Sequence, residues 1–182
     1  MATHLFHAEF ESPIGPITLE GDGEHLTGLH FPSHRHWAGV PQTSQHSDTL
    51  FREVQQQLAE YFAGTRRRFD LPLKPEGTPF QQRVWEELLR IPFGEAVSYA
   101  ELARRVGNPA ATRAVGAANG RNPISIIIPC HRVIGSTGVL TGYGGGLDRK
   151  RQLLELEDAL PPTRNVEQRL LFGASAGDSS QD

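Results

Sequence analysis

The sequence has one cysteine, no long apolar run and no excess of basic residues among its 182 residues. A single cysteine excludes an internal disulfide, which is typical of proteins in a reducing compartment. No run reaches the ~18 apolar residues of a membrane span, and the N-terminus lacks the basic start and apolar stretch of a secretory signal. With 18 basic against 21 acidic residues the net charge is −3, so composition alone does not indicate nucleic-acid binding. We therefore expect a soluble cytoplasmic protein without a membrane partner.

Residues 1–76 predict a small α/β domain. In GPITLEGDGEHLTGLHF two β-rich runs flank a glycine-containing turn, which is typical of a hairpin. Apolar side chains recur at helical spacing up to Gly64, which can end the helix; they are Leu50, Phe51, Val54, Leu58, Tyr61 and Phe62. RRRFDLPL (66–73) resembles another short strand. Residues 34–46 are expected to form a polar loop, and KPEGTP is expected to be a linker. No motif in this domain indicates chemistry.

Residues 77–160 predict a mostly helical domain. Thr78 is a suitable N-cap, and Pro79 fits the first position of a helix. One apolar stripe follows at helical spacing, formed by Phe80, Val84, Trp85, Leu88 and Leu89.

Two short helices are predicted next. Ser98 and Glu101 match a capping box at the start of the first helix, and Gly107 ends it. The second helix is expected to start at Asn108 and to run to Gly120. This arrangement is a helix-turn-helix candidate, although short helical pairs also occur in bundles that bind no nucleic acid.

The second helix of this pair is rich in small side chains, although glycine costs ~1 kcal/mol in a helix interior. The small residues are Ala110, Ala111, Ala114, Gly116, Ala117 and Ala118. They let a partner approach the helix backbone closely, and that partner is either a packed helix or a polyanion. Arg113 stands among them and favours the polyanion.

Cys130 lies in the apolar run IIIPCHRVI, directly before His131 and Arg132. An isolated cysteine in such a run is most often an inert core thiol. A nucleophilic thiolate requires a base and a positive field, which His131 and Arg132 supply in this interpretation. Neighbours in an extended segment point to opposite faces, so the thiol and the imidazole need a bridging water or a turned backbone to act together. A third group should orient the imidazole, and the spacing leaves open Asp148, Glu155 and Glu157.

The segments that flank Cys130 favour the reactive interpretation. NPISIIIP (122–129) predicts a stiff apolar strand that delivers the thiol, and GSTGVLTGYGGG (135–146) predicts a glycine-rich loop with one tyrosine. Glycine loops also bind phosphates, but no lysine followed by Ser or Thr stands at P-loop spacing. We therefore expect no cofactor.

Asn122, Pro123, the IPCHRV run, TGYGGG and the helix ending LLELE together resemble the alkylguanine-DNA alkyltransferases, also called methylated-DNA–protein-cysteine methyltransferases. The Pro-Cys-His-Arg-Val string is highly specific to that family, and the resemblance spans about Gly77 to Glu157. It implies an α+β fold. A small RNase H-like α/β N-terminal domain (1–76) precedes a mostly helical domain with a winged helix-turn-helix (77–160), and a polar tail expected to be partly disordered (161–182) follows.

The resemblance implies chemical roles for four residues. Cys130 accepts the alkyl group from O6 of guanine, and His131 deprotonates it through a water. Glu157 orients His131, which selects one of the three acids that spacing left open. Asn122 is the hinge residue whose side chain ties the turn beside the helix to the active-site strand.

The resemblance also implies how DNA is bound. The second helix, with small residues such as Ala114 and Gly116, lies in the minor groove. Arg113 fills the space of the extruded nucleotide, and Tyr99 presses on the adjacent phosphate and contacts the guanine. Flipping is needed because an alkyl group inside a duplex cannot reach a protein thiol. Tyr143 lines the pocket for the flipped base.

Three further residues are implied at this pocket. The backbone of Val133 and Gly144, together with that of Cys130, reads the edge of the base, and Ser125 forms part of the wall. Gly144 stands where some relatives have serine, which should loosen the loop while keeping the backbone contact. Ser125 stands where some relatives have proline, which bears on the tolerance of bulky alkyl groups.

The implied activity is DNA repair by direct transfer of a methyl or larger alkyl group from O6 of guanine, with O4 of thymine as a further candidate. The product is a thioether on Cys130 that no group in the site can hydrolyse, so the protein acts once. The partner is double-stranded DNA that contains O6-alkylguanine. We expect a monomer in solution, with cooperative assembly on DNA left open.

Some relatives bind zinc through the N-terminal domain, and this sequence has a histidine cluster there. His30, His34 and His36 form it, but loop histidines are mostly solvated, and no metal is assigned to them.

Two other functions compete with alkyl transfer. A Cys-His-Glu hydrolase would turn over, but the adjacency of Cys130 and His131 and the lack of a second oxyanion element argue against it. A lesion sensor binds alkylated DNA without repairing it, but such proteins typically carry tryptophan in place of the cysteine. The presence of Cys130 therefore favours a protein that accepts the alkyl group over a lesion sensor.

Overall fold

A computed structural model of the protein describes residues 5–160, so the predicted tail (161–182) lies outside the described residues. The first half (5–76) contains β1 (Phe6–Ser12), β2 (Gly15–Gly21), β3 (Leu26–His30), β4 (Gln45–His46) and α1 (Asp48–Phe62). The second half (77–160) contains α2 (Pro79–Leu89), β5 (Val97–Ser98), α3 (Tyr99–Arg105), α4 (Thr112–Gly120), β6 (Val133–Ile134) and α5 (Leu147–Leu156). The predicted α+β class is confirmed.

The first half forms a sheet in the order β3-β2-β1-β4, in which β1, β2 and β3 are antiparallel neighbours and β4 runs parallel to β1. The predicted hairpin is confirmed as β2 and β3, and Asp22 closes its turn by accepting a hydrogen bond from the His25 N–H at 2.8 Å. Helix α1 packs against β1. It buries most of the predicted stripe, but Leu50 in its first turn is exposed.

Side-chain caps set the starts of α2 and α3. Thr78 forms the predicted N-cap, and its hydroxyl accepts from the Gln81 N–H in a complete capping box. Ser98 accepts from the Glu101 N–H at 3.1 Å. The return half of this second predicted box is not made, because the Glu101 carboxylate pairs with arginines of its own helix.

Helices α3 and α4 pack against each other as the helix-turn-helix candidate. Gly107, with φ +86°, ends α3 as predicted. The next α-helix begins at Thr112, later than expected, because Pro109–Ala111 forms a single 3-10 turn. Strands β5 and β6 pair in parallel, and the glycine-rich segment 135–146 follows them before α5.

The strand predicted at 66–73 is not formed. Only an isolated bridge between Leu73 and Leu26 is present there. Leu26 donates to the Pro72 carbonyl at 2.9 Å and accepts from the Lys74 N–H at 2.9 Å. Pro72 and Pro75 have no N–H to donate, so the ladder cannot extend.

Buried apolar side chains of both halves form one continuous core, which includes Leu29 and Leu58 from the first half and Trp85 and Ile128 from the second. The Trp85 indole N–H also donates to the Ala118 carbonyl at 2.9 Å, which ties α2 to α4. The domain boundary expected at residue 76 stays a prediction. Among residues 5–160, no helix has the length and apolar character needed to cross a membrane.

Candidate active site

The apolar run before Cys130 is a series of buried turns, and the strand predicted there is wrong. Its first residues pair with the outer edge of β3: Leu29 donates to the Pro123 carbonyl at 2.9 Å and accepts from the Ser125 N–H at 3.2 Å. Beyond that bridge the chain folds back on itself, since the Ile128 N–H donates to the Ile124 carbonyl at 3.0 Å. The sheet of the first half therefore anchors the segment that carries the thiol.

These turns hold a strained backbone. Ile126 has φ +71°, a left-handed conformation that costs a β-branched residue ~1–3 kcal/mol. Asn122 stabilises it, because its side-chain amide donates to the Ile128 carbonyl at 2.8 Å and accepts from the Ile124 N–H at 3.0 Å. Both Asn122 and Ile126 are fully buried. Asn122 thus lies where it ties the end of α4 to the run before Cys130.

Cys130–Arg132 form a single 3-10 turn. The Cys130 N–H donates to the Ile128 carbonyl at 2.8 Å, and the Asn119 amide of α4 donates to the Cys130 carbonyl at 3.3 Å. Of the two arrangements that the sequence left open, the turned backbone is present. The thiol and the neighbouring imidazole consequently do not point to opposite faces as they would in a strand.

His131 is fully buried and contacts Glu157, with 2.8 Å between Nε2 and Oε1. The other two acids, Asp148 and Glu155, are exposed. Burial lowers the pKa of His131 and the Glu157 carboxylate only partly opposes this, so the imidazole is neutral at neutral pH. An ionised carboxylate can only accept hydrogen bonds, so the His131 nitrogen that faces it, Nε2, must carry the ring proton. Nδ1 of the neutral ring therefore keeps its lone pair. Nδ1 is buried and has no hydrogen-bond partner among residues 5–160.

Glu157 is fixed by two more groups. Arg132 binds it through two hydrogen bonds, Nε to Oε2 at 2.7 Å and Nη2 to Oε1 at 2.9 Å, and the Tyr61 hydroxyl of α1 donates to Oε1 at 2.7 Å. Burial alone would raise the pKa of Glu157, but the hydrogen bonds and charges of His131 and Arg132 outweigh it and hold the pKa at about 2. Arg132 was expected to supply a positive field to the thiol. It is instead paired with Glu157.

Lys150 is a buried cation near Cys130. Its side chain is fully buried, and Nζ donates to the Val133 and Thr141 carbonyls at 2.5 Å each. Burial raises the pKa of the Cys130 thiol, whereas the Asn122 side chain and the Lys150 charge act in the opposite direction. Burial also lowers the pKa of Lys150 to about 8.

Sequence reasoning missed Lys150 and Tyr61. Lys150 lies in the charged run DRKR, which is typical of an exposed helix face. A signal was nevertheless present, because Lys150, Leu153, Leu154 and Glu157 stand at i, i+3, i+4 and i+7 and so share one helix face. Tyr61 belongs to the apolar stripe of α1, and no local sequence pattern indicates that its hydroxyl binds Glu157.

Two of the predicted pocket residues, Ser125 and Tyr143, lie near the thiol. The hydroxyls of Ser125 and Tyr143 are buried, and neither has a hydrogen-bond partner within the described part of the chain. Val133 is buried in β6, and its carbonyl is already engaged by Lys150. Gly144 packs against His34 of the first half. Buried hydroxyls without a partner are rare in folded proteins, so these two oxygens are candidates for binding a polar ligand.

The residues expected to meet DNA lie on one side of α3 and α4. Arg113 and Ala114 are exposed near the start of α4, whereas Gly116 is half-buried against the Tyr99 ring. The Tyr99 hydroxyl donates to the Thr141 carbonyl at 3.0 Å, so it links α3 to the glycine-rich segment. The exposed face of α4 thus carries small side chains and one cation.

The histidine cluster is more buried than expected. His30 and His34 are each 6% exposed, and only His36 is exposed as the loop interpretation predicts. The His30 ring stacks on Trp37 with 5.0 Å between centroids and lies 3.4 Å from a Glu20 carboxylate oxygen. Within residues 5–160 no group of three histidine, cysteine or acidic side chains is arranged to hold a metal ion.

Family comparisons match both halves. The model described as "6-O-methylguanine DNA methyltransferase, ribonuclease-like domain" matches residues 5–75. The model described as "6-O-methylguanine DNA methyltransferase, DNA binding domain" matches residues 79–159.

Individual proteins of known name are similar to this chain over most of their length. The chain is 53% identical over 153 residues to the methylated-DNA–protein-cysteine methyltransferase of Methanosarcina acetivorans, covering 84% of this chain and 98% of that protein. It is 51% identical over 164 residues to the protein of the same name from Mycobacterium bovis, covering 87% and 95%. The crystal structure of Mycobacterium tuberculosis OGT in complex with DNA is similar with a TM-score of 0.80 at 50% identity, covering 87% of this chain and 96% of that one.

Proposed function

The chain belongs to the methylated-DNA–protein-cysteine methyltransferase family, and we propose that it repairs DNA by moving a methyl or larger alkyl group from O6 of guanine to Cys130. One observation carries the proposal. The only cysteine of the sequence stands in a turn beside a neutral His131 whose Nδ1 is free and whose Nε2 is bound to the ionised Glu157.

The first step is removal of the thiol proton. His131 Nδ1 accepts it through a water, and the Cys130 thiolate forms. The resulting imidazolium is stabilised by Glu157, which stays ionised because its pKa is about 2. Arg132 and Tyr61 hold the carboxylate in place, and Lys150 stabilises the thiolate electrostatically.

The second step is displacement at the alkyl carbon. The thiolate sulfur attacks that carbon, the carbon–oxygen bond to the base breaks, and its electron pair stays on the guanine. The guanine takes up one proton, which balances the proton that His131 removed from the thiol. The new carbon–sulfur bond is a thioether. Because no group of the site hydrolyses a thioether, each molecule reacts once, and no cofactor takes part.

We propose that the base reaches the thiol by flipping. The small side chains of α4, among them Ala114 and Gly116, let the helix approach the minor groove, and Arg113 replaces the extruded nucleotide and offsets part of the few kcal/mol that unstacking costs. Tyr99 contacts the adjacent phosphate. The free hydroxyls of Ser125 and Tyr143 and the backbone of Gly144 are then available to the guanine.

Three finer points are also proposed. O6-alkylguanine in duplex DNA is the substrate, with O4-alkylthymine as a second one. The protein acts as a monomer, and sedimentation with increasing ratios of protein to duplex would reveal cooperative assembly. The reducing cytoplasm is its compartment, since an oxidised Cys130 could not react.

The deciding experiment is the intact mass of the protein after mixing with an excess of duplex that contains one O6-methylguanine. We expect one hydrogen of the protein to be replaced by one methyl group, mapped to the Cys130 peptide, with no second addition. An undamaged duplex is the control. An unchanged mass with the lesion retained would indicate a sensor, and an unchanged mass with repaired DNA would indicate turnover.

A further inference from the structure

The segment 141–146, the glycine loop, is packed against the first half of the chain. A Cβ atom built on Gly144 would lie 2.8 Å from Cδ2 of His34 and closer still to its Nε2. Real Cβ atoms essentially never approach a neighbour within 3.0 Å. The His34 ring therefore occupies the space that any side chain at position 144 would need.

The reason for glycine at this position is steric. Gly142 and Gly146 have φ +56° and φ +94°, which only glycine adopts readily. Gly144 does not have a left-handed φ, so its backbone would accept alanine or serine. Its requirement for glycine thus comes from the neighbouring ring alone.

His34 has little freedom to move aside. It is 6% exposed, and its ring contacts the His30 ring edge-on with 5.3 Å between centroids. His30 is in turn stacked on Trp37. Burial and the nearby histidines lower the pKa of His34 to about 4, so the ring is neutral and packs without a charge at neutral pH.

A second contact holds Gly145, the next residue of the glycine loop, and it also involves the first half of the chain. The Arg149 guanidinium lies 4.7 Å from the centroid of the Phe31 ring. It donates to the Gly145 carbonyl at 3.0 Å and to the Ile14 carbonyl at 2.9 Å. His34 thus supports Gly144 directly, and Phe31 supports Gly145 through Arg149.

We propose that His34 is a positioning residue for base recognition, because its ring forms the back wall of the glycine loop and sets the position of the Gly144 backbone. This inference rests on the proposed function, in which the Gly144 backbone reads the flipped base. It assigns to the first half of the chain a part in shaping the substrate pocket. It also explains within this chain why position 144 excludes serine.

The test is a double-mutant cycle on Gly144→Ala and His34→Ala, read as the single-turnover rate of methyl transfer from an O6-methylguanine duplex. Gly144→Ala alone should slow transfer by about tenfold or more, because the new Cβ overpacks the contact and displaces the loop. His34→Ala alone should slow transfer by about three- to fivefold, because the Gly144 backbone loses the ring that positions it, and the double variant should react at the rate of His34→Ala. An unchanged rate in His34→Ala would overturn the positioning role. The affinity for undamaged duplex should be the same throughout, since the α4 face is unchanged.

Two matched control variants distinguish a clash between His34 and position 144 from a general disturbance of the glycine loop. Gly146→Ala strains a left-handed backbone with nothing within 4 Å, so His34→Ala should not rescue it. His34→Leu keeps a bulky side chain and should not rescue Gly144→Ala. The melting temperature of every variant shows whether a lost rate reflects unfolding.

Rescue by His34→Ala and not by His34→Leu supports the inference. The inference is overturned if Gly144→Ala lowers the transfer rate by the same factor in the wild-type protein and in His34→Ala. It is also overturned if Gly144→Ala leaves the transfer rate unchanged. If the unmodified protein itself fails to take up a methyl group, the proposed function fails instead, and the two outcomes are distinguished by that first measurement.

Discussion

The two halves of the molecule contribute to the site in different ways. The second half holds the residues proposed to touch the substrate, and they lie within short strings such as PCHRV and TGYGGG. The first half has no such string, yet the Tyr61 hydroxyl binds Glu157 and the His34 ring packs against Gly144. β3 also anchors the run before Cys130.

This difference shows why a motif describes only part of a site. Residues that react with a ligand must be close together, and in this chain Cys130 and His131 are also adjacent in sequence. Residues that position them need only be close in space, and Tyr61 lies 96 positions away from Glu157. The following variants test that division, from the largest expected effect to the smallest.

Cys130→Ser should abolish methyl transfer and leave duplex affinity unchanged, because a serine hydroxyl is too weakly acidic to form the nucleophile in this site. The measurement is intact mass after incubation with O6-methylguanine duplex, together with fluorescence anisotropy for DNA affinity. Residual transfer would place the nucleophile at a residue other than Cys130.

Glu157→Gln should slow transfer by about 100-fold, because the imidazolium loses its counter-charge. It should also destabilise the fold by ~3 kcal/mol, since Arg132 is left buried without its partner. The matched control is Glu155→Gln, which changes an exposed acid of the same helix and should alter neither quantity.

The same variant should change the acid dependence of stability. The pKa of Glu157 is lowered from 4.5 to about 2, so its carboxylate stabilises the fold above pH ~4.5, and the contribution is lost as the pH falls toward 2. Denaturant titrations from pH 6 to 2 should show a smaller loss of stability in Glu157→Gln. An identical slope in both proteins would contradict the assigned pKa.

Arg113→Ala should slow repair of duplex DNA by about tenfold, because nothing then replaces the flipped nucleotide. Reaction with free O6-methylguanine, which needs no flipping, should be unaffected. Arg121→Ala, exposed just after α4, is the matched control for loss of charge. Equal losses on both substrates would assign Arg113 to the pocket instead.

Lys150→Met should slow transfer by several-fold, because the Cys130 thiolate loses a nearby positive charge. The pKa of Lys150 is about 8, so the ratio of wild-type to variant rates should fall as the pH rises through that value. Arg151→Met changes an exposed neighbour and should have no such effect. A ratio that does not vary with pH would leave Lys150 with a structural role only.

Tyr61→Phe should have the smallest effect and bears most directly on the first half. It removes one hydrogen bond to Glu157, which should cost ~1–3 kcal/mol of stability and slow transfer by a few-fold. Chemical denaturation and single-turnover rates measure the two effects. If both remain unchanged, Tyr61 does not support the relay, and the first half acts on the site only through the glycine loop and β3.

Much of the fold was predictable from local sequence. The capping residue Thr78, the glycines at 64 and 107 and the apolar stripes set helices α1, α2 and α3 close to their observed bounds, because caps and periodicity act over a few residues. The run 124–129 was not predictable, since its isoleucines favour a strand. Two contacts override that preference: the Asn122 side chain and the edge of β3 fold the run into turns, and they hold Ile126 at a positive φ.

For the site, the sequence by itself determined the reacting group and its neighbour, because Cys130, His131 and the string around them are contiguous. Only the tertiary structure decided what surrounds them: that Arg132 is paired with Glu157, that the buried Lys150 lies near the thiol, and that the first half contacts both the acid and the glycine loop. The physical reason is that charge, burial and packing depend on distances between side chains, and those distances are fixed only when the two halves close around one core.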